Sequence, residues 1–228
     1  MRIIAFLFLC SVIACWRGEP LPETPRAEAP VRKDPRKANI QKSRSALVFV
    51  ETKTLGTSGQ TTTYRSYGLV VDRHHVLTGG LPLLAGEVIS SVAVRSHGRF
   101  GQPSFEMTAS IVDSLRHPHD QNFTLLRVVK TDEKLPVKPV IFSWRRAVLN
   151  QEVVMFTSID TLAPLVPVPG KLQLFTMHTS TFLMVDPTTW STHAVFNEQF
   201  DVVGYDHSLV PDIVRFLANA NVRYRLSE

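Results

Sequence analysis

The chain has 228 residues, 44% hydrophobic and 20% charged, which is enough for the core of one globular domain with a segment to spare. Its two cysteines, Cys10 and Cys15, both fall within the first fifteen residues, so the remaining chain is excluded from disulfide-stapled classes and must be held by packing and hydrogen bonds. The formal charge of +5 is distributed against a nucleic-acid role. Residues 16–45 carry eight Lys or Arg against four acids, whereas residues 46–228 carry sixteen of each sign. A nucleic-acid-binding domain concentrates positive charge on its folded unit, so no nucleic-acid partner is expected.

In chain order, Met1-Arg2 precedes an apolar run, Ile3 to Ile13, that is too short for a permanent membrane-spanning helix and has the layout of a signal peptide over residues 1–14. The run closes on Val12-Ile13-Ala14-Cys15, which resembles the bacterial lipobox, where a small residue precedes a cysteine that is acylated and becomes the new N-terminus. The resemblance implies a membrane anchor at Cys15, with two or more acyl chains needed for stable attachment. Cys10 fits less well because bulky Leu9 precedes it, and a secretory leader with an incidental Cys15 is the competing reading. Trp16 is not the aspartate that in Gram-negative lipoproteins retains the protein at the inner membrane, so an outer-membrane location facing the periplasm is expected.

Residues 16–45 contain five prolines (Pro20, Pro22, Pro25, Pro30 and Pro35), many charges and few large apolar side chains. Such a composition buries too little to offset the entropy of folding, and it predicts a flexible basic tether over residues 15–45. From Ala46 onward short β-rich runs recur: Ala46–Val50, Thr62–Val71, Val88–Val94, Met107–Val112, Phe123–Val129, Val140–Phe142, Val153–Thr157, Leu172–Met177, Thr181–Val185 and Val202-Val203. Repeated strands without intervening helices predict an all-β sandwich or barrel. The end of the chain differs. Ile213, Val214, Phe216 and Leu217 recur at helical spacing over Pro211–Ala218, with Ser208 or Asp206 available as a cap.

Three segments within this body resemble trypsin-like serine proteases. Tyr67-Gly68-Leu-Val-Val-Asp72-Arg-His-His75-Val-Leu-Thr78-Gly79-Gly80-Leu81 is similar to the family's "G-x-V-V-D-x-x-x-V-L-T-A-A-H". His119-Asp-Gln-Asn122-Phe-Thr-Leu-Leu-Arg-Val128 is similar to "N-D-I-A-L-L-R-V". Thr189-Trp-Ser191-Thr-His-Ala-Val-Phe-Asn197 through Gly204 is similar to "G-D-S-G-G-P-L-F-N-x-x-G-x-V-V-G". Their order matches the family's His, Asp, Ser order. The likeness covers residues 46–228, is nearest the disulfide-free bacterial branch that includes the HtrA proteases, and implies two packed six-stranded β-barrels with a C-terminal α-helix.

Carried onto this chain, the family's general base falls on Leu81, its orienting carboxylate on Asn122 and its nucleophile on Ser191. Leucine cannot accept a proton, so the alcohol of Ser191 has no partner to activate it. Thr189, Trp190, Thr192 and His193 stand where the oxyanion loop of the family carries glycines or small residues. After Tyr205 the chain passes to its last helix through Asp206-His-Ser-Leu-Val, without the segment that walls the family's specificity pocket. No catalytic residue is therefore expected. The remaining route to activity is a non-standard site around Ser191, with His193 as a relocated base and Asp120 as a displaced carboxylate.

The histidine clusters His74-His75 and His117-Pro-His119 lack the third cluster that would complete a metal site, and neither a metal nor another cofactor is expected. Trp190 and His193 are candidate partner-binding residues, and Trp144, beside Phe142 in a strand-like run, is expected in the core. The sequence thus predicts a lipid-anchored serine-protease homologue without catalysis, a pseudoenzyme that binds a protein or peptide in the bacterial envelope. An active trypsin-like endopeptidase is the alternative.

Overall fold

The computed structural model describes residues 35–81, 85–96, 105–116, 122–129, 134–157, 165–177, 180–186 and 194–227. Helix α1 (Pro35–Ser45) leads into β1 (Leu47–Leu55), followed by β2 (Thr61–Val70), β3 (His75–Gly79), β4 (Val88–Ser96), β5 (Glu106–Arg116) and β6 (Asn122–Val128). These six strands close into a barrel in the order β1-β2-β3-β6-β5-β4, antiparallel at each pairing. Then come β7 (Glu152–Thr157), β8 (Val166–Met177), β9 (Ser180–Asp186), β10 (Ala194–Phe196), β11 (Val202–Tyr205), β12 (Ser208-Leu209) and helix α2 (Val210–Asn219). They form a six-stranded sheet in the order β12-β11-β10-β7-β8-β9, whose two edges, β9 and β12, lie against each other.

The apolar run that opens β1 is continuous because both of its faces are buried. Val48 and Val50 point into the barrel with Val70, Val76, Val94 and Leu126. Leu47, with Leu69, Leu77 and Leu125, faces outward against Phe142, Phe156, Phe196 and Tyr205 of the second sheet and Ile213, Phe216 and Leu217 of α2. That shared core is stitched by aromatic pairs, Phe156 edge-on to Phe196 at 5.5 Å and Phe123 beside Phe216 at 5.7 Å.

Helix α2 buries the stripe expected from its spacing, but its start is not capped as the sequence predicts. Leu209 holds the cap position in extended geometry with no side-chain hydrogen bond, and Pro211 sits in the first turn. Ser208 is buried within β12 and its hydroxyl meets no partner, while Asp206 is occupied in the preceding turn. The helix ends at Asn219 with Ala220 as its C-cap, and Asn221 then takes a left-handed conformation (φ 56°) in which Asn221 and Val222 donate to the carbonyls of Ala218 and Leu217.

Two further expectations are corrected. The tether does not run to residue 45, because Pro35–Ser45 is helical. Its Ile40 packs half-buried on the shared core, and its buried Ser43 donates to the Phe200 carbonyl at 3.1 Å, so the compact unit begins at Asp34. Trp144 is not in the core but 73% exposed. The predicted strand around it shrinks to isolated parallel bridges at Phe142, with Val202 on one side and Leu226 on the other, and beyond them the chain leaves the sheet.

Candidate functional site

The strand register brings two of the three candidate positions together. Gly79 at the end of β3 pairs with Phe123 near the start of β6, so Asn122 opens β6 at the same end of the barrel where Gly80 and Leu81 leave β3. Leu81 is half-buried there. Ser191, His193 and Trp190 lie outside the described residues, as do Asp120 and the segment carrying His117 and His119. β10, which starts three residues after Ser191, lies between β11 and β7, and its first residue, Ala194, pairs with Tyr205 at the end of β11.

What fixes that end of β11 against the barrel is a residue the sequence reading passed over. The Tyr205 hydroxyl, 1% exposed, donates to the Tyr67 carbonyl at 2.8 Å and accepts the Gly79 N–H at 3.1 Å. The Thr78 hydroxyl donates to the same Tyr67 carbonyl at 2.9 Å and lies 3.1 Å from the Ser66 hydroxyl. Burial, with the negative charge of Asp206 adding to it, pushes the phenol of Tyr205 above its ordinary value. It therefore stays protonated at neutral pH, a fixed hydrogen-bond donor and not a base. No local signal marks this role, because its partners lie 126 and 138 residues away.

After Tyr205 the chain turns in two residues. Asp206 and His207 both have positive φ, 46° and 66°, and Tyr205 pairs with Ser208 across the turn, the geometry of a tight hairpin normally built from Asn-Gly. The turn sets the Asp206 carboxylate over the end of β3, where a Cβ on Gly79 would stand 3.0 Å from Asp206 Oδ2. A side chain at position 79 would crowd that carboxylate. β12 then feeds α2 directly, so nothing intervenes between this turn and the helix but two strand residues.

The histidine pair has a local use at the other end of β3. Asp72 Oδ1 accepts the backbone N–H groups of His74 and His75 at 2.7 and 2.8 Å, and the His75 ring nitrogen Nδ1 lies 2.9 Å from both carboxylate oxygens. Burial would raise the Asp72 pKa, but these hydrogen bonds outweigh it and hold the carboxyl below the ordinary aspartate value. The motif is a turn lock. Among the described residues no group of three His, Cys, Asp or Glu side chains is placed to hold a metal ion. A cavity of about 550 Å³ lined by Ile40, Val154, Pro169 and Phe200, with Glu152 and Glu198 at its margin, contains none of the candidate residues.

A closed six-stranded barrel, a second six-stranded sheet against it and a C-terminal helix define a trypsin-like serine-protease fold. Solved structures agree with that assignment. Rv3671c from M. tuberculosis H37Rv, solved as a serine-to-alanine mutant in its inactive form, is similar to this chain with a TM-score of 0.55, covering 81% of this chain and 92% of its own, at 13% identity. At that identity the likeness concerns the fold. No protein-family profile matches the sequence, and no curated protein sequence matches it.

Proposed function

We propose that this chain is a pseudoprotease of the bacterial envelope, anchored by lipid on Cys15, whose trypsin-like scaffold binds a protein or peptide partner. The observation that carries the reading is the place of Leu81. It follows β3 at the barrel end where β6 begins with Asn122, and the motif resemblance assigns the imidazole and the carboxylate to these two positions, which here hold an aliphatic side chain and an amide. Without a base, a serine at the third position stays a weak nucleophile, and loss of one triad member alone lowers turnover by roughly a thousandfold or more. The direct passage from β11 through Asp206-His207 into α2 supports the reading, since it leaves no segment to wall a side-chain pocket. Partner contact then falls to the loops and strand edges of the scaffold, with Trp190 and His193 the candidate contacts.

The test combines chemistry and binding on the full chain. A serine-directed fluorophosphonate should leave Ser191 unlabelled, and casein should remain intact with the parent and with the Leu81→His, Asn122→Asp double variant. A peptide array probed with the chain should show binding that Trp190→Ala or His193→Ala weakens. Casein cleavage that disappears in Ser191→Ala would overturn the reading in favour of an active endopeptidase with His193 as its base. The anchor is tested separately: Cys15→Ser should release the protein from membranes or leave its precursor unprocessed, and unchanged processing and fractionation refute it.

A further inference from the structure

The exposed Trp144 stands in a region whose composition differs from the rest of the folded body. From Lys134 to Gln151 the sequence holds Lys134, Lys138, Arg145 and Arg146 and not one acid, and from Ile213 to Ser227 it holds Arg215, Arg223 and Arg225 and again no acid. These two stretches meet in space. Phe142 donates its N–H to the Arg225 carbonyl and accepts that of Ser227, and the Ser227 hydroxyl accepts the N–H of Trp144 at 3.1 Å. Residues 46–228, neutral as a whole, therefore gather positive charge where the segment between barrel and second sheet, the C-terminal tail and α2 adjoin. Two acids border it: Asp212, 3.9 Å from Arg215 within the helix, and Asp201, which is hydrogen-bonded to Ser227.

The same region exposes apolar surface. α2 turns Ile213, Phe216 and Leu217 inward, and a second stripe, Pro211, Val214 and Ala218, lines an open cavity of about 390 Å³ together with Trp144 and Leu226. Trp144 is 73% exposed, Arg145 and Arg146 are exposed beside it, and Val148 and Leu149 follow at 62% and 55%. Ala147, packed against the second-sheet core, pins the loop between them. The loop is fixed at both ends with its indole held outward.

We infer that this face, Trp144 with Arg145, Arg146, Arg215 and Leu226, docks the folded body onto an anionic lipid surface. An indole prefers the headgroup level, where its ring is half in hydrocarbon and its N–H stays wet. Guanidinium groups beside it reach phosphate, and each positive charge near an anionic leaflet strengthens attachment about fivefold. A second copy of the chain fits poorly, because a two-fold contact through this face would set its arginines against themselves. The inference concerns the folded body and is independent of both the Cys15 anchor and the pseudoprotease reading.

The experiment reads Trp144 itself, so that attachment by any other part of the chain cannot imitate the result. The full chain is prepared unacylated as Cys15→Ser, with Trp16→Phe and Trp190→Phe leaving Trp144 as its one indole. If that variant fails to fold, the difference between the spectra of the parent and of Trp144→Phe gives the same signal. On adding vesicles of phosphatidylcholine with phosphatidylglycerol, Trp144 emission should move to the blue and be quenched by lipids brominated high on their acyl chains. Arg145→Glu with Arg146→Glu should raise the anionic lipid needed by tenfold or more, with unchanged circular dichroism. The inference is overturned if the chain cosediments with these vesicles while Trp144 emission is unmoved, or if the two Glu substitutions change nothing. A blue shift that depends on protein concentration without lipid would overturn it in favour of self-association, and one produced by an acidic peptide but not by vesicles would assign the face to an acidic protein.

Discussion

Replacing Tyr205 by Phe keeps the ring in the shared core and removes one buried oxygen, and the structure says which neighbour suffers. The Tyr67 carbonyl loses a donor but keeps the Thr78 hydroxyl at 2.9 Å, so it remains satisfied. The Gly79 N–H loses the acceptor it has in the phenol oxygen. One orphaned buried N–H costs about 1–3 kcal/mol. For a unit of this size each kcal/mol corresponds to roughly 2–4 °C, so the melting temperature should fall by roughly 2–12 °C. Thermal and urea unfolding followed by circular dichroism measure both quantities. The reasoning also fixes how a second substitution behaves. Thr78→Val removes the other side-chain donor to the Tyr67 carbonyl, so the combined loss in the double variant should exceed the sum of the single losses by about 1 kcal/mol. If Tyr205→Phe unfolds within about 0.5 kcal/mol of the parent, or the pair is additive, the hydroxyl does not lock the end of β11 to the barrel as described.

Asp72→Asn should weaken the turn at the start of β3 at neutral pH. Because the folded carboxyl titrates below the ordinary 3.8, its contribution is complete above that value and is lost as pH falls through the folded one, so the urea midpoints of parent and variant should differ at neutral pH and draw together as the pH is taken progressively below 3.8. Ile40→Ala should lower stability by roughly 1–2 kcal/mol, the low end for such a truncation since the side chain is half-buried, and an unchanged urea midpoint would detach α1 from the fold. Gly79→Ala should cost about 1 kcal/mol by crowding the Asp206 carboxylate, and the loss should shrink in an Asp206→Ala background if that contact is its cause.

The sequence pattern was most legible where burial is periodic. The uninterrupted run Ala46–Val50 marks a strand covered on both faces, and Ile213, Phe216 and Leu217 mark α2 because helical spacing and the core agree. Alternation misled at Trp144. Phe142 and Trp144 share a parity that would share a face in a strand, but the pairing ends at the two isolated bridges of Phe142 and parity has no meaning beyond them. α1 was hidden because its residues are those of a solvated segment. Its helix rests on local propensity and two anchoring side chains, Ile40 and Ser43, which leave almost no hydrophobic signal. For the site, the motifs located Leu81 and Asn122 along the chain, while their juxtaposition depends on the β3–β6 register and the strut of Tyr205 on contacts made across the whole fold. The cap expected from Ser208 or Asp206 failed because both residues were already committed to the hairpin that precedes α2.

Helix α1 stands between whatever precedes it and the first strand of the barrel, held by the Ser43 hydroxyl on Phe200 and by Ile40 on the core. Tension drawn through the chain ahead of Pro35 therefore reaches this helix before it reaches β1. β1 is zipped on both sides, to β2 and to β4 along nearly its whole length, whereas α1 is held by side chains: Ile40 on the core, Ser43 on Phe200 and Lys42 near Asp201. Pulled from the chain ahead of Pro35, α1 should therefore peel away before β1 unzips, which force spectroscopy would read as a short extension preceding the main unfolding event.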